Sequence, residues 1–173
     1  NGANAVRIDA MLDQEGIYTI VVRECGNGGV MDYALILERI WPPSPSARAI
    51  QSGELLTDEI NPVGDVDLFF FVGSVDEAIY LQATRQSGGD PCIQLFRPDG
   101  TLAGTGCNGA NAGGINATLD QAGTYTIRVT EYANNAAMGY SLDFQCIVGP
   151  CPYIIPDIAG YINRLTRNGA VNE

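Results

Sequence analysis

The sequence predicts an all-β protein of antiparallel strands, and three observations carry that prediction. Short apolar runs alternate with polar residues and are separated by clusters of Gly, Asn and Asp. The runs are rich in β-branched and aromatic residues, which suit a pleated, half-buried surface. The chain also repeats itself. "NGANAVRIDAMLDQEGIYTIVV" at its start returns without gaps as "NGANAGGINATLDQAGTYTIRV" from Asn108, so that Leu12 matches Leu119, Tyr18 matches Tyr125 and Leu35 matches Leu142. Residues 1–35 hold 20 identities at an offset of 107 residues, too many for shared composition.

Taken in order, residues 1–40 correspond to the rear half of a repeat. The segment between about Glu54 and Cys107, which precedes the second copy, has no counterpart before the first. With no initiator Met and no leader, the expectation is a processed piece of a longer precursor. Residues 41–53 begin "WPPSPS", too rich in Pro for a central strand, and read as a semi-rigid linker. Residues 54–146 hold strand-length runs, "DLFFFV", "AIYLQAT", "CIQLFR", "GTYTIRVT" and "GYSLDFQ", with "RPDG" at 97–100 as a turn. Residues 147–173 form a tail. There Ile158, Ile162 and Leu165 recur at helical spacing, Asp157 suits the start and Gly169 the stop, predicting a short amphipathic helix over 157–167.

Composition narrows the chemistry. The chain has nine Arg, no Lys, no His and 20 Asp plus Glu, for a net charge of -11. Such acidity repels nucleic acid and anionic membranes, and no apolar run approaches the roughly 20 residues of a membrane helix. Without His or Lys there is no His-dependent triad, no Cys–His nucleophile and no Schiff base. No carboxylate pair stands out and no Gly-rich phosphate loop joins a strand to a helix, so the expectation is that the chain is not an enzyme.

Five Cys are present without a CxxC pair, which with the lack of His argues against zinc. Cys92 and Cys107 flank a hairpin and Cys146 and Cys151 bracket "IVGP"; both pairs are disulfide candidates, leaving Cys25 alone. Disulfides fit an extracellular or cell-surface setting, against the alternative of buried free thiols. Asn116 opens "NAT", the glycosylation sequon of the chain.

The order "GDVDLFFFVGSVDEAIYLQA", "CIQLFRPDGTLAG", "DQAGTYTIRVTE", "GYSLDF" resembles the bacterial pre-peptidase C-terminal domain family. The resemblance covers a full module over 47–146 and a rear half over 1–40. It implies a jelly-roll-like antiparallel β-sandwich appended to secreted proteases and other exported proteins. The fold expected is therefore one full sandwich plus the rear half of a second, with the short C-terminal helix. Relatives that bind calcium do so through an acidic, Asn-rich segment ahead of the first strand. Here that place holds "PPSPSARAI", without a carboxylate. Asp65, Asp67, Asp90 and Asp99 are left as calcium candidates, against a reading as solvated turn carboxylates. No other cofactor is implied.

The two copies differ in an informative way. Alternation turns Tyr125, Ile127, Val129, Tyr140, Leu142 and Phe144 to one face, and Thr124, Arg128, Ser141 and Asp143 to the other. The first copy keeps the inward set but replaces those four outward residues with Ile17, Val21, Ala34 and Ile36. A sheet apolar on both sides is normally covered on both, and each large residue left in water forfeits roughly 1.5–3 kcal/mol. Leu68 and Phe70 face outward if Phe69 and Phe71 face in, adding a second contact patch. These six residues are the expected interface.

Two functions follow. The first is a structural subunit or repeat segment of an extracellular surface or filament protein. It would associate with copies of itself or adjacent repeats through sheet edges and apolar faces. The second is an accessory module that attaches a secreted hydrolase to polysaccharide or protein, for which Trp41, Tyr80 and Tyr132 are the aromatic candidates.

Overall fold

Regular strand structure starts at Arg48 in the computed structural model, which describes residues 5–26 and 28–151. The strands are β1 (Arg48–Ala49), β2 (Glu54–Ile60), β3 (Asp67–Gly73), β4 (Ala78–Gly88), β5 (Pro91–Phe96), β6 (Leu102–Gly106), β7 (Ala112–Thr118), β8 (Gly123–Glu131) and β9 (Met138–Val148). They form a five-stranded sheet in the order β1-β3-β8-β5-β6 and a four-stranded sheet in the order β2-β9-β4-β7. Every pairing is antiparallel except that of β1 with β3. The antiparallel strands expected from the alternation and the sandwich implied by the resemblance are both observed.

The inner faces are built as the period of two requires. Phe69 and Phe71 of β3, Tyr125, Ile127 and Val129 of β8, and Tyr140, Leu142 and Phe144 of β9 meet in one core. Phe71 stacks on Tyr125 at 5.5 Å between ring centroids and tilts against Phe144 at 4.5 Å. Two stretches of the 41–53 linker differ from expectation. Arg48–Ala49 adds an edge to β3, and Ile50, fully buried, belongs to the core. The Pro-rich part ends before Ala47, so nothing prevents the following residues from pairing.

Cys92 joins Cys107 and Cys146 joins Cys151, while Cys25 is an exposed free thiol. The helix expected over 157–167 lies outside the described residues.

The first copy corrects a sharper expectation. Residues 5–26 and 28–40 form no strand, so the rear half is not a sheet. The pairing of the full module shows why. β7 bonds β4, β8 bonds β3 and β5, and β9 bonds β2 and β4; no rear strand bonds another. The three sequences belong to different positions in two sheets, and each needs front strands as neighbours. Ile17 is 100% exposed, Val21 78% and Ile36 38%, and Ala34 is exposed as well. Among the described residues no second layer covers them.

Candidate functional site

The two outer faces of the sandwich differ. On the five-stranded sheet, Arg128 and Thr126 of β8 are paired with Leu68 and Phe70 of β3, so all four should face solvent. Instead Arg128 is 6% exposed and Thr126 and Thr130 are buried. Residues of the first copy lie across them. Asp9 accepts from both Arg128 Nη atoms, at 2.6 and 3.2 Å, and Gln94 Oε1 accepts from Arg128 Nε at 2.9 Å. The guanidinium sits 5.4 Å from the Phe96 ring centroid. Arg7 donates to Thr130 Oγ1 at 3.4 Å, and the Thr126 hydroxyl donates to the Ile40 carbonyl at 3.0 Å. The hydrogen bond from Arg128, reinforced by the charges of Arg128 and Arg7, holds the Asp9 carboxyl below the usual carboxylate range.

Leu68 and Phe70 are therefore no free contact patch. Leu68 is 5% exposed and Phe70 is half-buried, and the segment bonded through Asp9 and Ile40 lies on their strand partners Arg128 and Thr126. Alternation predicts which side a residue faces, not what lies over it. The Asp9–Arg128 pair escaped sequence reasoning; the signal was Asp9 standing where the second copy has Asn116.

The outer face of the four-stranded sheet is mostly polar, with Ser141 buried near its middle and Leu55 exposed on it. Register sets Thr57, Ser141 and Thr84 side by side, and next to them Asp143 and Gln82. Tyr80 stands between Gln145 and Asn116. Gln86 Nε2 donates to Ser141 Oγ at 3.0 Å and partly covers that row. The face thus presents amides, hydroxyls and the carboxylates of Asp143 and Glu59 around the Tyr80 ring, with the exposed Leu55 beside Asp143. Trp41 and Tyr132 do not join Tyr80 in a row. Trp41 lies against the Gly100 turn and Tyr132 against Gly109, on other parts of the molecule. Asn116 is exposed on β7, an edge strand, so its sequon is reachable.

The calcium candidates go separate ways. Asp65 accepts from the Val66 amide and Asp90 pairs with Arg85 at 2.9 Å. Asp99 accepts from Gln121 and from the amide and hydroxyl of Thr101; these bonds, Gln121 first, hold it down at about 2. Asp67 accepts from the Tyr140 hydroxyl at 2.7 Å; burial pushes it up to about 6 against that bond. Burial, then the nearby Asp67 charge, pushes the Tyr140 hydroxyl up as well. Among the described residues no three acidic or Cys groups gather as a metal requires. The buried Glu77 accepts from the amides of Ser74 and Cys151 and ties the second disulfide to the β3–β4 turn.

No family model matches the chain, and a search of curated protein sequences returns no match. Solved structures do match. The pre-peptidase C-terminal domain of a collagenase from Bacillus anthracis aligns with a TM-score of 0.50 at 20% identity, over 57% of this chain and 94% of that one. PliG of Aeromonas hydrophila, a periplasmic inhibitor of g-type lysozyme, aligns at 0.48 and 15% identity over 59% of this chain and 96% of its own. PliG of Salmonella Typhimurium aligns at 0.45 and 16%, over 59% and 99%. The first of these alignments shows that this chain has a β-sandwich of the pre-peptidase C-terminal type.

Proposed function

We propose that the chain is a non-catalytic accessory module of an exported protein, and that it attaches to a polymeric substrate through the outer face of the four-stranded sheet. The observation that carries this reading is the alignment over 94% of a collagenase's pre-peptidase C-terminal domain, since that neighbour is one domain of a larger hydrolase. The open face around Tyr80 supports it, as do two disulfides, which fit an oxidising compartment outside the cytosol. The sequence has no His and no Lys, and among the described residues the carboxyl pushed up to about 6, that of Asp67, is tied to Tyr140. Co-sedimentation with collagen fibrils, chitin, cellulose and peptidoglycan tests the reading. Retention by one of them, weakened several-fold in a folded Tyr80→Ala variant, is the expected result; absence from every pellet removes it.

A second reading, a repeat segment of a surface or filament protein, draws on the exposed Ile17, Val21 and Ile36. Light scattering tests it: growth of particle mass with concentration supports it, and a constant monomer mass counts against it.

A further inference from the structure

We infer that residues 5–40 are a docking segment whose partner is the front half of another sandwich module, five strands equivalent to β2–β6. The inference is independent of what the module binds. Between Asn108 and Val148, every residue of the closed core recurs unchanged in the first copy except Phe144, which becomes Leu37. Tyr125, Ile127 and Leu142 are sealed; their matches Tyr18, Ile20 and Leu35 are each about half exposed. A sequence that served only as a tail has no physical reason to keep a complete inward set.

The first copy also holds the module's turns without the module. The Tyr18 hydroxyl donates to the Gln14 carbonyl at 2.9 Å, as Tyr125 does to Gln121 at 3.0 Å. The Gly28 amide donates to Glu24 Oε2 at 3.0 Å, as the matching Asn135 amide does to Glu131 Oε2 at 2.9 Å. Gly16 has φ 149° and its counterpart Gly123 φ 137°, both in the region that glycine adopts freely. Turns are in place and ladder partners are not. In the full module those partners all come from β2–β5, so the established rear-to-front interface supplies the template for the missing one.

The occupant is not the front half of a second copy of this chain. That front half is already filled by its own β7–β9. It is also too tight. Gly113 packs so closely on Gly106 that a Cβ at Gly113 would lie 2.0 Å from the Gly106 carbonyl oxygen, and the first copy has Val6 at that position. The partner must therefore be a front half with more room beside its β6 equivalent. Asp9, which faces outward in this register, can keep its bond to Arg128 while the inward set is covered, so the two sandwiches would sit side by side.

The test uses the full chain with a copy of residues 47–107 fused ahead of Asn1 and Val6→Gly introduced to relieve the Gly106 contact. Amide hydrogen exchange is read at 16–24 and at 123–131. The expected result is slowing at 16–24 by about a thousandfold or more relative to the unfused chain, with 123–131 still protected. Adding Ile20→Asp should abolish the new protection alone, and restoring Val6 should weaken it. Free-peptide exchange at 16–24 in the fusion overturns the inference, as does protection that survives Ile20→Asp. Should the fusion lose protection at 123–131, the 47–107 peptide is titrated onto the intact Val6→Gly chain instead. A saturable one-to-one complex supports docking; failure to form it overturns docking. Dimerisation of the unfused chain with protection at 16–24 assigns the site to a second copy and overturns the choice of partner.

Discussion

Ile20 and Ile127 occupy the same repeat position, yet one is half exposed and the other fully buried. Truncation separates them. Ile127→Ala is expected to cost about 2–5 kcal/mol, and Ile20→Ala to change stability by no more than about 0.5 kcal/mol, read from urea midpoints of this chain alone. Asp67 gives a pH signature. Its carboxyl is pushed up to about 6 in the fold, against about 3.9 in an unfolded chain, so the folded state holds the proton more tightly. Its contribution is fully present below about pH 4 and is lost as pH rises through 6. Relative to Asp67→Asn, which still accepts from Tyr140, wild type should lose about 1–2 kcal/mol across that window in denaturation at stepped pH, less than the full shift because the group keeps some water. At this scale alternation made the inward residues legible in the sequence. Burial of Arg128 and Thr126 was not legible, because their cover comes from residues more than 25 positions away.

Strands and staples behave as local chemistry suggests. β4, β5, β8 and β9 arise where β-branched and aromatic residues alternate, and "RPDG" turns β5 into β6 with the Arg97 carbonyl accepting from the Gly100 amide at 2.9 Å. The Cys92–Cys107 bridge closes that hairpin across a separation of 15 residues. Loop-closure entropy for such a span is worth about 3 kcal/mol, so a Cys92→Ser/Cys107→Ser pair should lower the urea midpoint accordingly while the sheet spectrum persists. The linker differs from its sequence pattern where it enters the fold. Its Pro cluster hid that Arg48–Ala49 pairs beside β3 and that Ile50 fills the core. A two-residue strand carries too little periodicity to be seen in sequence.

For the molecule as a whole, the division between a closed sandwich and an unpaired rear half sets its vulnerability. Residues 5–26 and 28–40 have exposed apolar side chains and no ladder, whereas strands between Arg48 and Val148 share one core. Limited trypsin treatment should therefore cut at Arg23 well before Arg85, Arg97 or Arg128, leaving a resistant fragment that contains the sandwich, identified by mass. Growth of that fragment's protection to include Arg23 on addition of a partner would report docking directly. The all-β class, the internal repeat and the inward residues of each strand can be read from the residues alone, since they follow from local period and from matching the chain against itself. That rear strands never bond one another emerges with the assembled sheets, because pairing order is a property of two whole sheets and leaves no trace in any single run of residues.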